Sequence, residues 1–227
     1  MAATAYEIQM NVEANGVTLP GTLSLPPSPL GVVIFAHGSG SSRFSSRNIQ
    51  VAQSLIQRGC GTLLFDLLDP AEAADRRNVF DIRLLADRML AATDAVSESD
   101  EARNLPIGYF GASTGAAAAL VAAAERRGQI AAVVSRGGRP DLAGPYLPLV
   151  TAPTLLLVGS LDVEVIELNR QAQRMLRCEN RLVIIEGATH LFEEPGTLEQ
   201  VANEAGEWFR THFEAAQSPA SPRSPHD

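Results

Sequence analysis

Short apolar runs alternate with amphipathic stretches along most of this 227-residue chain. Continuous runs of Val, Ile, Leu and Phe of this length are typical of strands that are buried on both faces of a sheet. Six such runs occur, at Val32–Phe35, Thr62–Phe65, Ile107–Phe110, Ala131–Val134, Thr154–Val158 and Leu182–Ile185. The intervening stretches repeat apolar residues at helical spacing, as in Val51–Ile56, Ile82–Val96 and Leu198–Phe209. This alternation predicts an α/β fold with a doubly wound, mostly parallel sheet and helices on both faces.

The two ends of the chain depart from this central pattern. Tyr6–Val12 and Val17–Leu25 are joined by an Asn15-Gly16 step, which favours a tight hairpin turn, so we expect an antiparallel edge and about eight strands in all. The last residues carry proline at three-residue intervals and no apolar anchor. We therefore predict one domain over residues 1–214 and a disordered Pro/Ser-rich tail over residues 215–227.

Composition and charge exclude several classes of function. The formal net charge of −8 argues against a nucleic-acid partner, because phosphate neutralisation needs a basic surface. All 18 basic residues are arginine, so chemistry that needs a lysine base or Schiff base is excluded. No uncharged apolar run approaches the roughly 20 residues that span a bilayer, and the N-terminus lacks a secretory signal pattern. We expect a cytoplasmic monomer or homodimer that acts on a small molecule and not on a membrane.

Cys60 and Cys178 are the two cysteines of the chain. They lie far apart in the sequence and have neither a second cysteine pair nor a histidine at metal-ligand spacing. We expect no disulfide framework, no metal and no cofactor.

One serine lies in a setting that favours nucleophilic chemistry. Gly111–Gly115 reads Gly-Ala-Ser-Thr-Gly, directly after a predicted strand and directly before the helix-forming run Ala116–Leu120. This G-x-S-x-G pattern is typical of a tight turn in which flanking glycines leave room for a strained serine above the sheet. The spacing differs from the G-x-G-x-x-G of nucleotide-binding turns, and the P-loop lysine is absent. Ser113 is therefore the candidate nucleophile.

A serine hydroxyl is a poor nucleophile at neutral pH and needs a base. His190 follows the last predicted strand and precedes the final helix, which places it near the same edge of the sheet as Ser113. The other histidines lie at the end of an early strand (His37), within the last helix (His212) and in the tail (His226). His190 is the candidate base.

The carboxylate that orients the base should lie between the nucleophile and the base in chain order, on a loop after a strand. Asp162, at the end of the segment Val158-Gly-Ser-Leu-Asp162, is the preferred candidate. Asp141 and Glu164 are the alternatives, since some folds of this type place the acid one strand earlier.

A Gly-Ser loop follows the first long parallel strand, at residues 36–41. Small residues there let backbone N–H groups face a ligand, so the amide of Ser39 is predicted to form an oxyanion hole with the amide of Thr114. Gly40 is an alternative to Ser39, and Gly38 and Gly40 are candidate substrate contacts.

Four arginines follow strands whose carboxyl ends meet at the predicted ligand edge: Arg43, Arg47, Arg136 and Arg139. In one interpretation Arg43 or Arg136 grips a substrate carboxylate through bidentate hydrogen bonds. In the other, the arginines fasten loops by pairing with nearby carboxylates, namely Asp66, Asp69 and Asp141.

The His-Gly-Ser-Gly loop, the Gly-Ala-Ser-Thr-Gly turn and the Gly-Ser-Leu-Asp and Ala-Thr-His-Leu-Phe segments resemble the α/β-hydrolase superfamily, and within it the dienelactone hydrolase-like group. The likeness covers about residues 17–214. Dienelactone hydrolases proper use a cysteine nucleophile where this chain has Ser113, so the resemblance implies activity on simple esters rather than a particular lactone. Larger members insert a cap domain after the sixth strand, whereas only residues 137–152 are available here. The resemblance thus implies an open, shallow site for small esters.

Three hypotheses follow for function. The first is a serine hydrolase that cleaves small carboxylic esters through an acyl-enzyme on Ser113, with His190 and Asp162 completing a triad. The second is a hydrolase selective for lactones or thioesters. The third is a catalytically silent binding module, since a fold alone does not fix function.

Overall fold

A computed structural model describes residues 5–218 of the protein. In this part of the chain the strands are β1 Tyr6–Ala14, β2 Val17–Leu25, β3 Val32–Ala36, β4 Gly61–Phe65, β5 Ile107–Ala112, β6 Ile130–Arg136, β7 Thr154–Gly159 and β8 Asn180–Ile185. They form one sheet in the order β1-β2-β4-β3-β5-β6-β7-β8. The pairs β1–β2 and β2–β4 are antiparallel, and all other neighbours are parallel. The predicted eight-stranded, mostly parallel sheet is confirmed.

The hairpin at the edge of the sheet forms where the Asn-Gly step predicts it. Asn15 and Gly16 have φ angles of 51° and 84°, and a two-residue hairpin turn of this kind requires positive φ at both positions. Ala14 consequently pairs with Val17, and the register continues to Tyr6 opposite Leu25.

Helices cover both faces of the sheet. Their bounds are α1 Ser46–Gln57, α2 Pro70–Ala73, α3 Arg76–Val79, α4 Ile82–Glu98, α5 Thr114–Glu125, α6 Val163–Met175 and α7 Thr197–Gln217. Helices α1 and α7 pack on the face that carries Val33 and Phe35. Helices α4, α5 and α6 pack on the face that carries Val32 and Ile34. Alternate residues of β3 are thus buried on opposite sides, which explains the continuous apolar run in the sequence.

Helix α5 lies at the centre of its layer and consists mainly of small side chains. Every residue from Thr114 to Ala124 is buried, and the helix packs against β5, α4 and the segment after β6. A helix that is apolar on all sides is stable only when it is enclosed in this way. The run of alanines therefore sets a close approach of α5 to the sheet, directly behind Ser113.

The connection between β6 and β7 is short, as expected. It contains a 3₁₀ segment, Pro140–Leu149, which is kinked at Gly144, and no cap domain is inserted there in the described chain. Helix α7 ends at Gln217, beyond the domain boundary expected at residue 214, so residues 215–217 are helical rather than part of a tail. The rest of the expected tail, residues 219–227, lies outside the described residues. Within residues 5–218, no helix is both long and apolar enough to cross a bilayer.

The segment between β4 and α4 forms two short helices that the sequence analysis did not predict. Asp69 begins α2 through a capping box, in which its carboxylate accepts from the Glu72 amide (2.7 Å) and the Glu72 carboxylate accepts from the Asp69 amide (3.2 Å). Arg88 of α4 is 2% exposed and donates to the same Glu72 carboxylate (2.6 Å). This partly buried ion pair attaches α2 to the core. We call residues 66–81 the wall segment.

Candidate active site

Ser113 occupies the turn between β5 and α5 in a strained backbone conformation. Its φ and ψ are 51° and −120°, a region that a residue with a side chain rarely adopts. A side chain on Gly111 would overlap the Ala116 backbone, and one on Gly115 would overlap the Ala36 carbonyl. The amide of Ser113 donates to the Arg136 carbonyl (3.3 Å), which fastens the turn to the end of β6. The sharp turn expected from the G-x-S-x-G pattern is present.

His190 and Asp162 are hydrogen-bonded to each other. Nδ1 of His190 lies 2.6 Å from Oδ2 of Asp162, so the carboxylate fixes the proton on Nδ1 and leaves Nε2 as the basic nitrogen. Asp162 immediately precedes α6, yet its side chain makes no capping bond to that helix. Its side chain is 15% exposed, which limits competition from water for the histidine.

The two alternative acids are placed differently. Asp141 accepts two hydrogen bonds from the Arg139 guanidinium, at 2.9 and 2.8 Å. Glu164 lies in the first turn of α6. Of the three candidate acids in the described chain, Asp162 is the one that bonds to His190.

The loop that carries His190 packs against the loop after β6. Gly137 has a φ of 51°, and a Cβ atom there would lie 3.1 Å from the His190 carbonyl and 3.6 Å from Cε1 of the imidazole. The backbone of Gly137 therefore lies directly against the ring. The Thr189 amide donates to Glu194 (3.1 Å), and hydrogen bonding from the Thr189 side chain, together with this amide bond, lowers the pKa of the Glu194 carboxyl. Both contacts restrict the position of the imidazole.

Ser113 and His190 line one cleft of about 260 Å³, which we call the catalytic cleft. Its walls also include Gly38 and Ser39 of the Gly-Ser loop. The loop approaches Ser113 closely, because a Cβ atom on Gly38 would lie 3.1 Å from the Cβ of Ser113. Thr114 is the first residue of α5, so its amide has no acceptor within the helix. The structure thus brings the candidate nucleophile, base and amide donors to one edge of the sheet.

His37 has a role in the site that the sequence analysis missed. Its Nε2 accepts a hydrogen bond from the Leu67 amide (3.1 Å), so Nδ1 carries the proton and donates to the Gly38 carbonyl (3.1 Å). Burial lowers the pKa of His37, against the opposing effects of that carbonyl and of Asp66. The neutral imidazole therefore joins the Gly-Ser loop to the wall segment. The signal available in the sequence was a histidine at a strand end, directly before the glycine of the loop.

Some of the candidate arginines fasten loops, and one is placed to bind substrate. Arg43 forms an ion pair with Asp66, and its amide donates to the same carboxylate (2.8 Å). Arg139 pairs with Asp141 (2.8 Å). These two arginines fasten loops, and Arg43, a candidate substrate contact, is occupied by Asp66.

Arg136 is different, because it is buried in the wall of the catalytic cleft and has no carboxylate partner within residues 5–218. It is 6% exposed, its Nη2 donates to the Asn48 side chain (3.1 Å), and its Nε has no partner in the described chain. Its guanidinium lies 5.8 Å from the centre of the Phe192 ring. Burial, with repulsion from Arg47, lowers the pKa of Arg136 to about 10, so the group is still charged at neutral pH.

A second, apolar cavity of about 380 Å³ lies on the other side of the Gly-Ser loop. It shares Gly38 and Ser39 with the catalytic cleft and also includes Thr114 and Gly40. Its remaining walls come from His37, Phe44 and neighbouring serines, from the wall segment and from Leu85 of α4. We call it the acyl-side cavity. This cavity departs from the shallow site that we expected, because the wall segment, and not an insertion after β6, encloses it.

A strained serine at a strand-to-helix turn, on a mostly parallel eight-stranded sheet, defines the α/β-hydrolase fold. No family model matches the chain. The crystal structure of a dienelactone hydrolase from Anabaena variabilis is 52% identical, with a TM-score of 0.90, and the match covers 92% of this chain and 99% of that one. The chain belongs to the dienelactone hydrolase family.

A structure of lower sequence identity and two proteins that are longer than this chain also match. Est1E from Butyrivibrio proteoclasticus shares the fold, with a TM-score of 0.76 at 20% identity over 91% of this chain and 99% of that one. Two Mycobacterium tuberculosis proteins named "Putative phosphoribosyl transferase" are 56% identical over 205 residues, which is 90% of this chain and 46% of each relative. The chain therefore spans about half the length of these curated relatives.

Proposed function

We propose that the protein is a serine hydrolase that cleaves small carboxylic esters through an acyl-enzyme on Ser113. The observation that carries this proposal is the strained Ser113 in a cleft shared with His190, whose Nδ1 is bonded to Asp162 at 2.6 Å. Membership of a family that includes a named hydrolase supports the same class of reaction.

The reaction proceeds by two acyl transfers. Nε2 of His190 takes the proton of the Ser113 hydroxyl as Oγ bonds to the carbonyl carbon, and the amides of Ser39 and Thr114 donate to the resulting oxyanion. The imidazolium, stabilised by Asp162, gives its proton to the leaving alcohol as the carbon–oxygen bond breaks. A water then attacks the acyl-enzyme by the same route and releases the acid and the free serine.

A lactone or thioester substrate is the second candidate, and Arg136 favours one that carries a negative charge. A buried, charged guanidinium without a carboxylate partner is unfavourable in the free protein, and a substrate anion would relieve this. Arg47 lines the same cleft, where it is paired with Glu193 (3.3 Å). Anionic esters should therefore be turned over faster than neutral esters of equal size.

The name of the M. tuberculosis relatives suggests phosphoribosyl transfer as a further activity. The chain spans 46% of those relatives and has the fold of a dienelactone hydrolase, so we assign that activity no site here. Phosphoribosyl transfer and ester hydrolysis can be measured in the same Ser113→Ala variant. The substitution should abolish hydrolysis and leave any transferase activity unchanged.

The test is labelling and turnover with matched variants. A fluorophosphonate probe should label Ser113 in the intact protein, as read by peptide mass spectrometry, and Ser113→Ala should lower turnover of p-nitrophenyl acetate by roughly 10⁴-fold or more. Ser97→Ala is the control, because Ser97 bonds only within α4 and lies outside the cleft. A protein that neither reacts with the probe nor turns over any ester would be the silent binding module.

A further inference from the structure

We propose that the acyl-side cavity binds the acyl group of the substrate, and that this group is apolar and larger than acetyl. The leaving group then lies in the catalytic cleft beside His190 and the arginines. This inference rests on the proposed esterase function. It specifies in addition how the ester is oriented in the site and what kind of acid it contains.

The direction of proton transfer fixes which half of the ester lies where. The imidazole of His190 must reach the leaving oxygen, so the leaving group lies on the His190 side of Ser113. The oxyanion faces the amides of Ser39 and Thr114. Of the four substituents on the tetrahedral carbon, only the acyl group then has no assigned direction. Ser39 and Thr114, which supply these amides, both line the acyl-side cavity, whereas His190 does not.

The chemistry of the cavity walls matches an apolar acyl group. Leu67 and Leu85 are buried, and Leu68, Val79 and Phe44 add further apolar surface to the cavity. An acyl chain that displaces water from this surface gains the transfer free energy of each buried methylene.

The charges on the two sides of Ser113 are opposite. Asp66 and Asp69 line the acyl-side cavity, and among the described residues no arginine does. Because Asp66 is paired with Arg43, Asp69 supplies the uncompensated negative charge on this side. Arg47 and Arg136 line the catalytic cleft, and among the described residues no carboxylate does. Because Arg47 is paired with Glu193 (3.3 Å), Arg136 supplies the uncompensated positive charge on this side. A negatively charged acid component would be repelled from the first and attracted to the second. The charge pattern therefore selects an uncharged acyl group and tolerates an anionic leaving group.

The volume of the acyl-side cavity indicates how large an acyl group it can hold. A cavity of about 380 Å³ is within the range that encloses most of a small organic ligand. Each methylene that it buries should raise kcat/KM by about fourfold, which is the burial free energy of one methylene expressed as a ratio. Between acetate and hexanoate we expect kcat/KM to rise by about tenfold or more, since burial on binding is incomplete.

Two adjacent alanines of the wall segment provide the test. Ala73 is exposed at the end of α2 and lines the cavity, whereas Ala74 is the next residue, is also exposed and does not line it. Phenylalanine at either position should leave the fold intact, because neither side chain is packed in the core. Ala73→Phe occupies the cavity mouth, and Ala74→Phe adds the same side chain elsewhere.

The measurement is the ratio of kcat/KM for p-nitrophenyl hexanoate to that for p-nitrophenyl acetate. We expect Ala73→Phe to lower this ratio at least tenfold relative to the wild type, and Ala74→Phe to change it by less than twofold, with equal Tm values for both variants. Equal ratios in the two variants would overturn the assignment of the cavity. Acetate turnover that survives in Ser113→Ala would instead overturn the esterase proposal, and the cavity assignment with it.

Discussion

Replacing Arg136 by methionine should make the protein more stable and less active on anionic esters. The fall of the Arg136 pKa to about 10, caused first by burial, corresponds to about 3 kcal/mol of destabilisation of the folded protein at neutral pH. Methionine fills a similar volume without that penalty. It leaves the Asn48 side-chain oxygen without its donor, which costs about 1–2 kcal/mol. The expected net effect is a gain of about 1 kcal/mol, or about 3 °C in Tm for a domain of this size.

The assay pairs thermal unfolding with the rates on two esters that differ only in the charge of the leaving group. Arg136→Met should lower kcat/KM for the anionic ester at least tenfold relative to the neutral one. Arg139→Met is the control, because Arg139 already pairs with Asp141 and is 38% exposed. A drop in Tm of several degrees for Arg136→Met would show that the guanidinium stabilises the fold, and an unchanged preference for charge would refute its contact with the substrate.

Two further predictions concern the hydrogen bonds around the site. Asp162→Asn should lower kcat/KM by about 10³- to 10⁴-fold with little change in Tm, because the amide no longer holds the proton on Nδ1 of His190; rates comparable to those of the wild type would contradict this pairing. His37 binds a proton less readily in the folded protein than in the unfolded chain, so stability should fall as the pH drops below about 6.5. Urea unfolding of wild type and His37→Gln between pH 7.5 and about 5 checks this, with a smaller loss expected in the variant.

The sequence predicts the sheet and the positions of the candidate residues well because both depend on local signals. A buried parallel strand needs a continuous apolar run, and each of the six predicted runs lies in an observed strand. The turn at Ser113 needs glycine at positions where the backbones touch. Loops that follow parallel strands meet at one edge, which is why Ser113, Asp162 and His190 could be placed together in advance.

The features that the sequence analysis missed depend on contacts between distant segments. The wall segment mixes polar and apolar residues and has no helical repeat long enough to detect, although its Asp69-Pro-Ala-Glu72 pattern is that of a capping box. Its attachment to the core depends on Arg88, a residue of another helix. Whether an arginine pairs with a carboxylate is likewise decided by residues that are distant in the sequence. Arg43 pairs with Asp66, whereas Arg136 donates to the side-chain oxygen of Asn48.

The first turns of helix α5 support the turn at Ser113, and their side chains have almost no rotational freedom. From Ala116 to Ala119 the helix carries only methyl groups, and a methyl group has no alternative rotamers to lose on folding or to regain on warming. A buried helix commonly shifts when its side chains repack in other rotamers. The alanines of this stretch of α5 have no other rotamers, so the helix cannot shift in this way. The geometry of the nucleophile turn should therefore change little with temperature, so that loss of activity on heating reports movement of the loops around Ser113 rather than of Ser113 itself.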